Sequence, residues 1–131
     1  MAAPLMTAET TRARILVVDD NESVRKALTR LLTVEDCVVC GEAVDGLDAI
    51  EAARRLKPDL IIMDLSMPGM SGMAAARAIR QECQTVSIML MTDPDPEIMA
   101  AARAMGIRGT VSKVGSILGA VRAVLRGEEF F

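Results

Sequence analysis

The chain alternates regularly between short β-branched apolar runs and segments of helical periodicity, and this alternation limits the fold more than any other feature. Runs such as 15–18 and 60–63 end abruptly at aspartates. Between the runs, apolar residues recur at intervals of three and four, as at Val24, Leu28 and Leu31, which is the period of an amphipathic helix. Five strand–helix units in series predict an α/β fold whose parallel sheet has helices on both faces. At this chain length we expect a doubly wound, flavodoxin-like (βα)5 domain with five strands in the order 2-1-3-4-5.

The apolar runs and the residues that interrupt them set the expected element boundaries. The expected strands are 15–18, 38–43, 60–63, 87–91 and 109–112. Ser71 and Asp95 are expected to cap helices, and Gly106 to end one. The apolar patterns of the helices include Leu47, Ala101 and Leu125.

The length of 131 residues suits one compact domain, which we expect to span 13–127. Residues 1–12 are small and polar and are expected to form a flexible leader. Residues 128–131 are expected to begin a linker or C-terminal tail. Phe130 and Phe131 would be exposed there, and two exposed aromatics favour a protein that continues past this point.

Composition excludes several classes of function. The chain has no histidine, so Ser-His-Asp triads and histidine-based zinc sites are ruled out. A net charge of −3 argues against nucleic-acid binding by this chain itself. No apolar run approaches the length of a membrane span and no signal peptide is recognisable, so we expect a cytoplasmic protein without membrane contact.

The cysteines and methionines are interpreted as packing residues. Cys37 and Cys40 have C-x-x-C spacing but lie on an expected strand, where side chains three apart point to opposite faces. Cys83 has no second cysteine near it in the sequence. The ten methionines fill space that aromatic residues occupy elsewhere.

Polar residues stand at the ends of four of the five expected strands. These residues are Asp19, Asp20, Asp64, Thr92 and Lys113. Each has an ordinary interpretation by itself, as a helix cap, a turn residue, a strand residue or a solvated charge. In the expected strand order they converge, because ligands bind at the carboxyl ends of the strands beside the switch point. Clustered carboxylates favour Mg²⁺, and a lysine with a hydroxyl suits a phosphoryl group. A carboxylate can then act as the nucleophile.

Several motifs resemble the response regulator receiver (CheY-like) domain. They are Val-Val-Asp-Asp at 17–20, the stretch 59–72 with its Asp-Leu-Ser-Met-Pro-Gly segment, Thr92, and Gly-Thr-Val-Ser-Lys at 109–113. The resemblance covers about 14–127. The runs 41–46 and 123–127 are similar to the NarL/FixJ (LuxR-type) subfamily. Members of that subfamily usually carry a helix-turn-helix domain after the receiver, so DNA would be contacted only through a domain that this chain lacks.

The resemblance implies a role for each motif residue. Asp64 would be the phosphoacceptor. Asp20 and Asp64 would bind Mg²⁺ directly, together with the backbone carbonyl of Ser66, and Asp19 would bind it through water. Thr92 would donate a hydrogen bond to the phosphoryl group.

The remaining implications concern Lys113, the partners and the type of activity. Lys113 would pair with the phosphoryl group. The donor would be a sensor histidine kinase or a small phosphodonor, and water would later remove the group. The domain would not be an enzyme beyond this self-phosphorylation and autodephosphorylation. A homodimer and a transcriptional output through the absent domain complete the expectation.

Two departures keep alternatives open. The family usually has an aromatic residue three positions before the lysine, and this chain has Thr110 there; Val114 replaces the proline that often follows the lysine. Thr110 therefore raises the alternative of an interaction module that works without phosphorylation. A magnesium-dependent phosphohydrolase is a third hypothesis. It is disfavoured because such enzymes place a second aspartate two residues after the nucleophile, where this chain has Ser66.

Overall fold

The computed structural model describes residues 12–34, 37–112 and 114–131. The strands are β1 (Arg14–Val18), β2 (Val38–Ala43), β3 (Leu60–Asp64), β4 (Ser87–Met91) and β5 (Gly109–Val111). The helices are α1 (Glu22–Val34), α2 (Gly46–Leu56), α3 (Gly72–Glu82), α4 (Pro96–Met105) and α5 (Ile117–Leu125), with a 3₁₀ turn at Val114–Ser116. Strands and helices thus alternate as the sequence predicts. Within these described ranges, no helix is both long and apolar enough to cross a membrane.

The five strands form one parallel sheet in the order β2-β1-β3-β4-β5, which confirms the predicted flavodoxin-like topology. Val18 pairs with Met63 across β1 and β3, and Asp64 pairs with Met91 across β3 and β4. The pairing of β1 with β2 shifts between Ile15 and Leu16. The carboxyl ends of β1, β3 and β4 therefore lie side by side at one edge of the sheet.

Alternate strand residues feed two separate cores. Leu16 and Val18 face a cluster with α2, α3 and α4, whereas Ile15 and Val17 face a cluster with α1 and α5. All four side chains are fully buried. This is the two-faced burial that continuous apolar strands predict.

Helix ends follow the expected local chemistry. The side chains of Ser71 and Asp95 accept hydrogen bonds from the first-turn amides of α3 and α4, as predicted. Gly106 ends α4 with a φ of 88°, a conformation that glycine adopts without a Cβ penalty. Asp45 caps α2 in the same way through the amide of Asp48, a cap that was not predicted.

Three apolar helix residues are exposed although the periodicity placed them in the buried pattern. They are Leu47, Ala101 and Leu125. In α2 the buried face is built instead from Gly46, Ala49 and Ala52. Cys83 is also exposed, and its interpretation as a packing residue is wrong.

The last residues fold back onto the sheet. The N–H of Phe130 donates to the carbonyl of Arg108 at 2.9 Å, and the N–H of Thr110 donates to the carbonyl of Phe130 at 2.8 Å. Phe130 thereby forms a parallel bridge to Gly109 at the free edge of β5. Phe130 remains partly exposed, as expected, but Phe131 is half-buried, with its ring centroid 4.4 Å from the guanidinium carbon of Arg103. The expectation that both aromatics project away from the domain is therefore wrong for Phe131.

Candidate functional site: a carboxylate cluster at the strand ends

Three aspartates converge at the carboxyl ends of the neighbouring strands β1 and β3. Asp19 directly follows β1, Asp20 follows it, and Asp64 is the last residue of β3. Each offers a carboxylate oxygen, and these oxygens all lie within 4.8 Å of one another. The convergence is what the predicted strand order requires, because β1 and β3 are neighbours.

Backbone hydrogen bonds hold the two inner carboxylates in place. The N–H of Asn21 donates to Oδ1 of Asp19 at 2.8 Å, and the N–H of Ser66 donates to Oδ1 of Asp64 at 3.1 Å. The amide of Asp19 in turn donates to the carbonyl of Ala43 on β2. The cluster is thus fixed by the loops that leave β1 and β3 and not by flexible side chains alone.

The electrostatics of the cluster are unfavourable for three ionised carboxylates. Burial raises the pKa of Asp19, which is only 5% exposed, and repulsion from Asp64 and Asp20 adds to the rise. Burial likewise raises the pKa of Asp64, and repulsion from Asp20 raises it further. The hydrogen bond from the Ser66 amide lowers this pKa but does not cancel the two increases. A bound cation would remove this repulsion, and the donors are all hard oxygens. The cluster could therefore hold a divalent metal ion.

Thr92 lies on the neighbouring strand end. It is the first residue after β4, it is half-buried, and its N–H donates to the carbonyl of Val111 at 2.9 Å. Ser66 is exposed in the loop after β3. Lys113 lies outside the described residues, so its predicted place at this site stays a prediction.

Gly72 allows α3 to begin against the phosphoacceptor candidate. A Cβ at this position would lie 2.3 Å from the backbone oxygen of Asp64 and 2.8 Å from the Cα of Leu65. The Gly72 amide donates to the carbonyl of Leu65 at 2.8 Å. Sequence reasoning included Gly72 in a motif but did not predict this close approach.

Arg25 is a residue that sequence reasoning missed. Its guanidinium donates to the carbonyl of Asp19 at 2.8 Å and to Glu42 at 2.9 Å. The side chain is only 14% exposed, and it ties α1 and β2 to the loop that carries two of the carboxylates. The only available signal was a basic residue in the first turns of α1, which is too common to be diagnostic.

The comparisons with known proteins agree with the fold. A doubly wound sheet with carboxylates at the ends of β1 and β3 defines a CheY-like α/β domain. A family model described as the response regulator receiver domain matches residues 15–120. The response regulator GacA of Pseudomonas aeruginosa is 34% identical over 122 residues, covering 89% of this chain and 57% of GacA.

Two further relatives lead to the same family. The transcriptional regulatory protein LiaR of Bacillus subtilis is 38% identical over 122 residues, covering 88% of this chain and 57% of LiaR. A solved two-component response regulator of the LuxR family from Aurantimonas sp. is 31% identical with a TM-score of 0.85, and the match covers 92% of this chain and 90% of that one. The chain therefore belongs to the response regulator receiver domain family, and within it to the NarL/FixJ type. It spans a little over half the length of these two curated relatives.

Proposed function

We propose that this receiver domain accepts a phosphoryl group on Asp64 in a Mg²⁺-dependent reaction. The observation that carries the proposal is the convergence of three carboxylates within 4.8 Å at the carboxyl edge of the sheet. Mg²⁺ fits because it prefers carboxylate and phosphate oxygens. Asp20 and Asp64 would bind it directly with the carbonyl of Ser66, and Asp19 would do so through water. When bound, the ion would neutralise charge on the cluster and on the phosphoryl oxygens.

In the proposed reaction a carboxylate oxygen of Asp64 attacks the phosphorus of a phosphohistidine on a sensor kinase. The new P–O bond forms as the P–N bond breaks, and the histidine leaves with its electron pair and takes up a proton. The Ser66 amide orients the attacking carboxylate through Oδ1. The Thr92 hydroxyl would donate a hydrogen bond to one phosphoryl oxygen, and the Lys113 ammonium would neutralise the charge on another. Hydrolysis by water would later break the acyl phosphate and restore Asp64.

Intact-mass measurement tests the proposal directly. The chain is incubated with a small acyl-phosphate donor, with Mg²⁺ or with a chelator. We expect one phosphate adduct only with Mg²⁺, and none in the isosteric variant Asp64→Asn. Asp93→Asn, which removes an exposed carboxylate from the loop after β4, is the matched control and should react like the wild type. A wild-type chain without an adduct, or an adduct that persists in Asp64→Asn, contradicts the assignment.

The wider role is part of the same proposal. GacA is named a response regulator and LiaR a transcriptional regulatory protein, and each is longer than this chain. We infer that the receiver takes its signal from a histidine kinase in the cytoplasm. Its output would be transcription, exerted through a DNA-binding domain, and the protein would form a homodimer. The chemistry of the domain itself would be limited to its own phosphorylation and dephosphorylation.

One observation favours a second candidate function. Thr110 is 5% exposed on β5 and offers no aromatic ring to respond to a change at Asp64. The second candidate is thus an interaction module whose partner affinity is the same with and without phosphate. Measuring the affinity for the cognate kinase, before and after a mass-verified phosphorylation, separates the two. Unequal affinities support the phosphorylation switch, and equal affinities support the module.

A further inference from the structure

Residues 128–131, called the tail below, lie along the outer side of β5, which is the last strand of the sheet. Its backbone is fixed by the two hydrogen bonds that flank Gly109, one to Arg108 and one from Thr110. Gly109 has no side chain to hold the tail off. A Cβ there would lie 2.6 Å from the carbonyl oxygen of Phe130. The tail is therefore a docked segment with a defined register.

A cleft of about 250 Å³ lies between this tail and the candidate site. Its lining includes Thr92, Met99, Thr110, Phe130 and Phe131. Thr92 thus forms one wall and the tail aromatics form another. A cavity of roughly 150 Å³ is large enough to hold a benzene molecule, so this cleft has room for a phenyl ring.

Thr110 and Phe131 lie on the same side of the sheet. Val111 packs in the cluster with α1 and α5, so its neighbour Thr110 faces the opposite side. Phe131 packs against the other cluster, beside α4. Its ring lies over Arg103, whose side chain is 55% exposed, and a cation–π contact at an exposed site is weak. The ring is therefore held next to the cleft by its packing against this cluster and by a weak contact with Arg103, which also forms an exposed ion pair with Glu129 of the tail.

We propose that Phe131 reports the state of Asp64, by moving its ring from Arg103 into the cleft beside Thr110 when Thr92 turns towards a phosphoryl group. This inference rests on the proposed phosphorylation of Asp64. Movement of the Thr92 side chain changes one wall of the cleft, and the ring on the opposite wall gains apolar burial by following it. A ligand shifts a conformational equilibrium only through such differential contacts. The small Thr110 side chain is what leaves the space open.

Nuclear magnetic resonance can observe this movement without a label at the site. The chain contains two phenylalanines and no tryptophan, tyrosine or histidine, so the aromatic region contains only the rings of Phe130 and Phe131. The variant Phe130→Leu assigns the remaining signals to Phe131. We compare the full chain with Mg²⁺ before and after addition of beryllium fluoride, a phosphoryl mimic. We expect shifted Phe131 ring signals and new proximity signals to the methyl groups of Thr92 and Thr110, both absent in Asp64→Asn.

Affinity for the mimic provides a second, independent readout, because coupling between two sites is reciprocal. Phe131→Ala should weaken beryllium fluoride binding by about fivefold or more, the lower range of measured couplings. Arg103→Gln should strengthen it, since it releases the ring from its resting position. Leu47→Ala, which truncates an exposed apolar side chain on α2, is the control and should leave the affinity unchanged.

The outcomes separate this inference from the proposed function. If a phosphate adduct forms and the Thr92 amide shifts, but the Phe131 signals and the affinities of both tail variants stay as in the wild type, the reporter role is overturned and the phosphorylation stands. If neither an adduct nor mimic binding is observed, the proposed function fails and this inference fails with it. Opposite effects of Phe131→Ala and Arg103→Gln support the reporter role, because a purely structural role would not strengthen binding in either variant.

Discussion

At the scale of single residues, the three carboxylates of the cluster repel one another when no cation is bound. Asp19 and Asp64 both have a raised pKa, chiefly because they are buried and secondly because carboxylates face one another. The folded state therefore binds protons more tightly than the unfolded chain at these two groups. Their favourable contribution to stability is complete below the ordinary carboxyl pKa and is lost as the pH rises through the raised pKa.

Asp64→Asn should therefore stabilise the metal-free domain at neutral pH. The asparagine side chain has the same shape as the aspartate, and its Oδ1 can still accept the hydrogen bond from the Ser66 backbone N–H. The substitution removes one negative charge from the cluster. We expect a rise in Tm of roughly 2 to 5 °C at pH 7, the effect of about 1 kcal/mol in a domain of this size. Thermal melts in a chelator from pH 3.5 to 7 should show the advantage shrinking as the pH falls.

The control for this experiment is Glu51→Gln, which removes one charge from the exposed face of α2. Its effect on Tm should be small at every pH, because exposed ion pairs contribute little. A wild type as stable as Asp64→Asn at pH 7 in the chelator would show that the carboxylates do not repel each other as the structure implies.

Gly72 should be intolerant of even one methyl group. In Gly72→Ala the new Cβ would lie 2.3 Å from the backbone oxygen of Asp64, so α3 or the loop after β3 has to move. We expect a loss of about 1 to 3 kcal/mol in urea denaturation, the usual cost of overpacking. Gly119→Ala on α5 is the matched control, because nothing lies within 4 Å of its Cβ. That variant should gain up to about 1 kcal/mol from helix propensity, and equal effects of the two substitutions would contradict the close approach.

At the scale of elements, the strands and the site were predictable from the sequence for one physical reason. A strand buried on both faces must be continuously apolar, so the change to aspartate after Val18 and after Met63 marks both a strand end and a place in the site. Parallel topology then brings those ends together. Helix faces were less predictable, because small residues can form the contact surface, as Ala49 does while Leu47 stays exposed.

The docked tail could not be predicted for a different reason. Its pairing with β5 uses backbone groups of Arg108, Thr110 and Phe130, and backbone hydrogen bonds leave no pattern in side-chain identity. Gly109 is the only local trace, since its missing side chain makes room for the Phe130 carbonyl. Glycine in a strand can equally mark a bulge or a tight bend, so it does not by itself predict a docked segment.

Gly109→Ala should therefore detach the tail while leaving the sheet intact. The Cβ would lie 2.6 Å from the Phe130 carbonyl oxygen, which accepts from the Thr110 amide. We expect hydrogen exchange at the amides of Thr110 and Phe130 to accelerate by at least about tenfold, the equivalent of losing about 1.4 kcal/mol of protection. The amide of Thr92, which donates to Val111 on the interior side of β5, should keep its protection. Fast exchange at Thr92 as well would mean that the substitution disrupts β5 itself.

At the scale of the whole molecule, the five described helices differ in how many residues they bury, and α4 buries the fewest. On one face α5 buries five residues, among them Ile117, Val121 and Val124. On the other face α4 buries only Ala102. The site lies at the sheet edge between the two faces, so a change at Asp64 can act on either. It should act where the cost of movement is lowest, which is at α4 with the neighbouring tail.

Filling the site should therefore change hydrogen–deuterium exchange on the α4 side of the sheet and not on the side of α1 and α5. We expect beryllium fluoride with Mg²⁺ to alter exchange in α4, β5 and the tail, and to slow it in the loops that carry Asp19 and Asp64. Exchange in α1 and α5 should stay within experimental error, because Leu28, Leu32 and Val121 tie these helices to the second core. Asp64→Asn with the same additions controls for effects of the salt. Changes spread evenly over both faces would instead mean that the site stabilises the fold as a whole, because only a difference between two local states can direct the response to α4 and the tail.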